Sequence, residues 1–316
     1  MATNFLDDPI FHDADKARER LEALIWPHGP YCPHCGDFNA TQLQGKAHRP
    51  GLYQCNGCRE QYTVTVKTLF ERSKVPLNKW LMALYLLMAC KKGISAHQMS
   101  RMIGVSYKST WFVMHRLREA LRDGKFPGPI GGEGKTVEID ETFVGGKQKN
   151  KHRSKRDKLG TGGVAMEPVF SLVERGGHVR SHHVASVNAA TLRPILLEQV
   201  HQASTIMTDE NKVSKGMAKA FAATESVHHG AGEYVRGGAH TNTIENYFSI
   251  LKRGITGTYH HVSATHLKRY LAEFDFRYNQ RMGLGVSDME RMEKAAQGIA
   301  GKRLTYRRTS ERPEGV

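Results

Sequence analysis

Two C-x-x-C pairs, Cys32 with Cys35 and Cys55 with Cys58, stand nineteen residues apart and decide most of what the first part of this 316-residue chain can become. Each pair can present two thiolates to one side of a tight turn, and two such turns complete a tetrahedron around Zn²⁺. Gly36 and Gly57 supply backbone freedom at or near those turns. Four sulfur ligands leave no coordination position open, so a zinc ion here is structural. Its binding, roughly 10–16 kcal/mol, would provide the folding energy that so small a module lacks. The alternative, two disulfides, needs an oxidising compartment. The N-terminus, MATNFLDDPIFHDADKARERLE, is acidic and mixed and lacks the basic-then-apolar order of a secretory leader. A cytoplasmic, nucleoid-associated protein is therefore expected. His34, inside the first knuckle, reads as a spacer.

Charge narrows the partner. Lys and Arg number 46 against 31 Asp and Glu, a formal charge of +15 that repels itself unless a polyanion or an anionic surface offsets it. A membrane surface competes with nucleic acid for that role, but the longest apolar run, from Trp80 to Cys90, is far too short to span a bilayer. Double-stranded DNA is the partner expected.

Residues 4–26 read as an amphipathic helix with Phe5, Leu6, Ile10, Leu21, Leu24 and Ile25 inward, and residues 31–66 as short hairpins. From Val75 the period changes. Pro76 and Asn78 open a helix with Trp80, Ala83, Leu84, Leu87 and Met88 on one stripe. Ser95 caps a short helix carrying Met99 and Met102, Gly104 makes the turn, and Ser106 caps a third helix striped by Trp111, Met114, Leu117 and Leu121. Three helices with a glycine turn before the last match a helix-turn-helix, whose final helix enters the major groove. Tyr107, Lys108, Ser109, Thr110, His115, Arg116 and Arg118 are the groove and phosphate contacts expected. A plain helical bundle with a solvated polar face is the alternative.

The Gly- and Pro-rich stretch from Asp123 to Gly132 marks the main boundary. Beyond it come a strand over Thr136–Val144, a basic loop over 147–158, strand-like runs over 164–173 and 178–187 joined at Gly176-Gly177, and a helix over 190–200. A short strand Thr205–Thr208 ends at Asp209, and two helical stripes run over 243–255 and 264–278. Strands first, then helix and strand in alternation, predict an α/β sheet domain. The tail after Met289 reads as too polar and basic to build a core.

Three acids sit where acids are awkward. Asp140 follows Val137 and Ile139 on a strand, Asp209 ends an apolar strand, and Glu245 lies beside the stripe Ile244, Phe248, Leu251 and Ile255. Burying a carboxylate costs several kcal/mol unless a cation compensates it. Acids converging from distant parts of a chain therefore point to a metal site, in which two Mg²⁺ ions about 3.5–4 Å apart clamp the oxygens of an in-line phosphoryl displacement. Ion pairing with the chain's many Lys and Arg is the other reading. Lys252, two helical turns after Glu245, is placed to meet a phosphate. Lys147, Lys149, Arg153 and Lys155 lie in the basic loop, either a solvated surface or a DNA backbone contact. The pairs His182-His183, His228-His229 and His260-His261 lack acids or thiols at ligand spacing and read as ordinary polar residues.

The segments VEIDETFVGGK, TIMTDENKVSK and AHTNTIENYFSILKRGITGTYHHVSATHLKRYLAEFDFRYNQR resemble the catalytic blocks of insertion-sequence transposases of the ribonuclease-H-like DDE superfamily. The subgroup resembled carries a zinc ribbon and a helix-turn-helix before its catalytic domain. The resemblance runs from about residue 10 to residue 283. It implies a multidomain α/β protein: an N-terminal helical segment (1–30), a zinc ribbon (31–72), a helix-turn-helix (75–123), a ribonuclease-H-like mixed-sheet catalytic domain (133–283) and a basic C-terminal tail (284–316). It further implies Asp140, Asp209 and Glu245 as a triad holding Mg²⁺ or Mn²⁺, Lys252 as the basic residue following the glutamate, and Arg253 among the DNA contacts. Asn246 is the alternative to Glu245, because some relatives use asparagine there. A homodimer or larger complex that holds two element ends is implied by the family alone. An inactive, transposase-derived DNA-binding regulator and a nuclease that cuts without joining are the competing functions.

Overall fold

The computed structural model describes residues 7–122, 128–146, 152, 166–209, 220–226 and 240–305. They form two compact units, residues 1–122 with 285–316 and residues 123–284.

In the first unit, the helix read over 4–26 divides. A 3₁₀ turn over Pro9–Phe11 precedes α1 (Ala14–Ile25), because Asp13 accepts hydrogen bonds from the amides of Asp15 and Lys16 and starts the helix afresh. Phe11 and Leu21 are buried, whereas Phe5 and Leu6 lie outside the described residues. The strands β1 (Ala40–Gln42), β2 (Tyr53–Cys55) and β3 (Gln61–Tyr62) form a small antiparallel sheet. Its apolar support is a ring cluster. Trp26, just past α1, meets Tyr31, Tyr53 and Tyr62 edge-on at 6.4, 5.6 and 5.8 Å between centroids.

The caps then place three helices: α2 (Leu77–Ala89), α3 (Ala96–Ile103) and α4 (Tyr107–Ala120). Ser95 accepts from the amide of Gln98 and Ser106 from that of Ser109, and Gly104 ends α3 at φ 67°, a left-handed conformation that glycine adopts without strain. Met102, which α3 carries with Met99, is 46% exposed. The inward position four residues after Met99 belongs to Ile103, which is fully buried.

In the second unit, β4 (Thr136–Val144), β5 (Glu167–Glu174) and β6 (Val179–His183) are followed by α5 (Ala189–Gln199), β7 (Thr205–Thr208), β8 (Ala223–Ser226), α6 (Asn242–Gly254), a π-helical turn over Ile255–Tyr259 and α7 (Ala264–Asn279). The strand order is β6-β5-β4-β7-β8. β4, β5 and β6 pair antiparallel, whereas β7 runs parallel to β4 and β8 parallel to β7. This is the ribonuclease-H-like mixed sheet expected. Only β8 carries no sequence signal, since Ala-Thr-Glu-Ser offers no apolar alternation and three of its four residues are exposed.

Alternation along the strands divides the core in two. Phe170 and Leu172 of β5 pack with Val137, Ile139 and Ile206 against Leu192 and Leu196 of α5. On the opposite face Val169 and Val173, with Val144 and Val179, pack against α6 and α7. A period of two on β4 therefore puts Glu138, Asp140 and Thr142 on the α6 side.

Side chains at the end of α7 reach the outer side of β6. Asp275 accepts from the amide of Ser181 at 2.8 Å, and Asn279 both accepts from the amide and donates to the carbonyl of Val179, at 2.7 and 3.0 Å. Arg281 donates to the carbonyl of Gly177 at 3.0 Å. Asp275 also takes hydrogen bonds from the hydroxyls of Ser181 and of Tyr247, which is itself buried.

The segment expected as a basic tail does not remain one. It forms α8 (Asp288–Gln297), opened by a capping box between Ser287 and Glu290, and it completes the first unit. Met292, Ala295, Ala296 and Ile299 are buried, Arg291 donates to the carbonyl of Met88 at 2.9 Å, and Lys302 to that of Ala120 at 2.8 Å. Gly298 makes this approach possible, because a Cβ there would lie 2.5 Å from the carbonyl oxygen of Ala120.

Candidate active site and zinc centre

The four cysteines meet as the spacing requires. Cys32 precedes the sheet and Cys55 ends β2; each is buried and followed three residues later by its more exposed partner, Cys35 or Cys58. The sulfurs of Cys32 and Cys58 are 3.6 Å apart, as are those of Cys35 and Cys55, and all four lie within 4.8 Å of one another. The amide of His34 points at the Cys32 sulfur and that of Cys58 at the Cys55 sulfur, the arrangement of a thiolate knuckle. His34 contributes its backbone and is not one of the four ligands. The glycines serve differently from expectation. Gly36 takes the left-handed turn at φ 84°, but in the second knuckle that conformation falls to Arg59, at φ 64°. Gly57 is needed for space, since a Cβ there would lie 2.6 Å from the carboxylate of Asp37. Four soft thiolates in a closed set fit Zn²⁺ in a structural role.

In the second unit the pairing of β4 with β7 matches Glu138 to Met207, so Asp140 and Asp209 follow at neighbouring positions two residues further on. Asp140, Thr142, Glu245, Ser249, Lys252 and Arg253 line a cavity of about 490 Å³, whereas Asn246 is exposed outside that lining. Glu245, Ser249 and Lys252 recur at steps of four and three along α6, opposite the buried Ile244, Tyr247, Phe248 and Leu251. The hydroxyl of Thr241 donates to Glu245 at 3.1 Å, and Arg253 bonds to the carbonyl and hydroxyl of Ser249 at 3.1 and 2.7 Å.

Asp209 is not part of that lining and is linked to Asp140 through its charge. Burial and then the charge of Asp209 push the Asp140 carboxyl up to about 8 against the pull of the Glu141 amide, and the charges of Glu141 and Glu245 add less. Like charges drawn near one another in a partly desolvated site are what a divalent cation relieves. The donor set, carboxylate oxygens throughout, suits a hard ion such as Mg²⁺.

Other expected contacts fare differently. Lys108 and Ser109 are exposed at the start of α4, and Tyr107 is 46% exposed and stacks on His97 at 4.0 Å. Thr110, Arg116 and Arg118 are only 0%, 8% and 2% exposed and are not available to a groove. Thr110 donates to the carbonyl of Val105, and Arg116 donates to that of Glu71 while lying over the rings of Trp80 and Phe112. Their long stems and short hydroxyl are used to close the helical core, and His115 is buried with them. Lys147, Lys149, Arg153 and Lys155 lie outside the described residues. Glu138, merely a neighbour of the first acid in the sequence, is fully buried with a set of fixed partners. The signal that could have singled it out is the two-residue step that places it on the same strand face as Asp140.

Fold and site define a ribonuclease-H-like protein that carries a zinc ribbon. The family model described as an ISXO2-like transposase domain matches residues 131–279, and that of the transposase zinc-ribbon domain matches residues 12–61. An uncharacterised protein in transposable element ISH50 of Halobacterium salinarum is 32% identical over 274 residues, which cover 83% of this chain and 90% of that protein. The chain belongs to the ISXO2-like transposases. Among the described residues, no helix is long and apolar enough to cross a membrane.

Proposed function

We propose that this transposase cuts DNA at the ends of an insertion sequence and joins the freed ends to target DNA at one metal-dependent site. The observation that supports the reading is that Asp140 of β4 and Glu245 of α6 line one cavity with Lys252 and Arg253, with the charge of Asp209 near enough to raise the Asp140 carboxyl. These three would hold Mg²⁺ or Mn²⁺, which when bound neutralises charge on the phosphate and lowers the cost of deprotonating the attacking hydroxyl.

The chain's own residues bind and orient. Lys252 and Arg253, on the cavity wall, meet the non-bridging oxygens of the scissile phosphate and hold it in line for attack. In the first step water attacks phosphorus and the bond to the 3′ oxygen breaks, leaving a 3′-hydroxyl. In the second, that hydroxyl attacks a target phosphodiester and one P–O bond replaces another. Both are phosphoryl transfers that need no redox partner. The exposed start of α4, with Tyr107, Lys108 and Ser109, supplies base and backbone contacts in the manner of a helix-turn-helix. Two copies pair to hold the two element ends.

The test uses purified protein, a duplex carrying the terminal repeats of the element, target DNA and Mg²⁺, with products mapped at nucleotide resolution. Nicks that leave a 3′-hydroxyl, followed by joined product, are expected. Asp209→Asn should abolish both while binding the duplex nearly as the parent does. Binding without any cutting would favour a regulator, cutting without joining a nuclease, and full activity in Asp209→Asn would remove the triad.

A further inference from the structure

Helix α6 has an unusual start. Its N-cap, Thr241, makes no side-chain cap bond to the helix, and its hydroxyl is turned to Glu245 instead. One first-turn amide that an N-cap ordinarily serves, that of Ile244, is satisfied from another element. Glu138 of β4 accepts from the amide of Ile244 at 2.9 Å through one oxygen, and from the hydroxyl of Thr243 at 2.9 Å through the other. Arg175 donates to the same carboxylate at 2.7 Å and to the carbonyl of His240, just before the helix, also at 2.7 Å. The ring of His240 lies 3.4 Å from it. Glu138 is 0% exposed, so these bonds are not exchanged with water. A buried carboxylate with a cation, a helix N-terminus and two further donors is held in one position, since releasing any partner leaves charge uncompensated.

The geometry points to a positioning role: we propose that Glu138, by capping α6 from β4, fixes the separation between Glu245 and Asp140 on which metal binding depends. The carboxylate grips Ile244, adjacent to Glu245, from a strand position two residues before Asp140, about 7 Å along the chain. Glu138 itself is taken up by Arg175, Thr243 and Ile244 and is not a metal ligand. Mg²⁺ demands near-ideal octahedral geometry, so a slack α6 weakens Mg²⁺ binding before it weakens the fold. Misplacement by about 1 Å is worth on the order of 100-fold in rate.

This inference rests on the proposed function, and its test separates the two. Mn²⁺ and Mg²⁺ binding to the full-length protein are measured by calorimetry, beside cleavage rate, DNA affinity and melting temperature, for the parent, Glu138→Gln, Thr243→Val and Asp140→Asn. Glu138→Gln keeps the size but sets an amide donor against Thr243 or Ile244. It should weaken Mg²⁺ binding about tenfold or more, slow cleavage on the order of 100-fold, recover partly in Mn²⁺, and leave DNA affinity within about twofold. Thr243→Val removes one donor and keeps the Arg175 pair, so a smaller shift of the same sign is expected even if Glu138→Gln fails to fold. Unchanged metal binding in folded Glu138→Gln, or in Thr243→Val if Glu138→Gln does not fold, overturns the proposal. So does activity lost only in proportion to unfolded protein. Asp140→Asn that still binds metal and cleaves would overturn the triad instead.

Discussion

Met292→Ala tests whether α8 belongs to the core of the first unit. The Met292 side chain is 0% exposed on α8, in a row with Ala295, Ala296 and Ile299, and Arg291 beside it is tied to the carbonyl of Met88. Truncating a buried Met to Ala removes its transfer free energy and leaves a cavity that collapses incompletely, a loss of about 2–5 kcal/mol. In a domain of 150–250 residues each kcal/mol moves the melting temperature by about 2–4 °C. A fall on the order of 10 °C is therefore expected for the first unit. Scanning calorimetry of the zinc-loaded full-length protein resolves it, with tryptophan fluorescence marking the first unit, where Trp26, Trp80 and Trp111 all lie. A chain ending at Leu284 should lose more, since Ile299 and the pairing of Leu69 with Ile299 go as well. A shift below about 1 °C in Met292→Ala, with truncated protein melting as the parent does, would show that residues 285–316 are a solvated tail.

Two further outcomes concern the zinc ribbon and the buried carboxyl of α7. Chelation of zinc, or Cys55→Ser, should collapse the aromatic cluster and red-shift Trp26 emission, because the ribbon strands have little other core; an unchanged spectrum would deny the ion a structural role. Burial raises the Asp275 carboxyl from 3.8 to about 6, although hydrogen bonds from Tyr247 and Ser181 oppose the rise. A carboxyl whose folded value exceeds its unfolded one contributes stability that is present below about pH 4 and lost as pH rises through 6. Asp275→Asn, with its oxygen toward the Ser181 amide and its nitrogen toward the hydroxyls, should flatten the decline of stability between pH 4 and 8 by at most about 3 kcal/mol, read from urea midpoints at each pH. An identical pH profile in parent and variant would contradict the assignment.

What the sequence revealed follows from how local each signal is. Cysteine spacing, the caps at Ser95 and Ser106, the left-handed Gly104 and the strand Thr136–Val144 are decided within a few residues, and they stand where their chemistry places them. The acids Asp140, Asp209 and Glu245 were visible as charges among apolar neighbours. Glu138 was not, because its partners lie on the hairpin that follows β5 and at the start of α6, and a cap supplied across the fold leaves no mark near the helix it caps. α8 was missed for a different reason. Its overall polarity hides an apolar stripe at steps of three and four, Met292, Ala295, Ala296 and Ile299, on which the returning helix packs. Arg116 and Arg118 mislead in the opposite sense, since a count of cations cannot tell a phosphate ligand from a stem that packs on a Trp ring.

The end of α7 occupies the amide and carbonyl of Val179 and the amide of Ser181, so these groups are taken before another strand can meet them. A second protomer cannot lengthen the sheet there, and neither can a partly folded chain add itself during synthesis. Strand addition at this edge is thus blocked two strands away from β4, which carries Asp140.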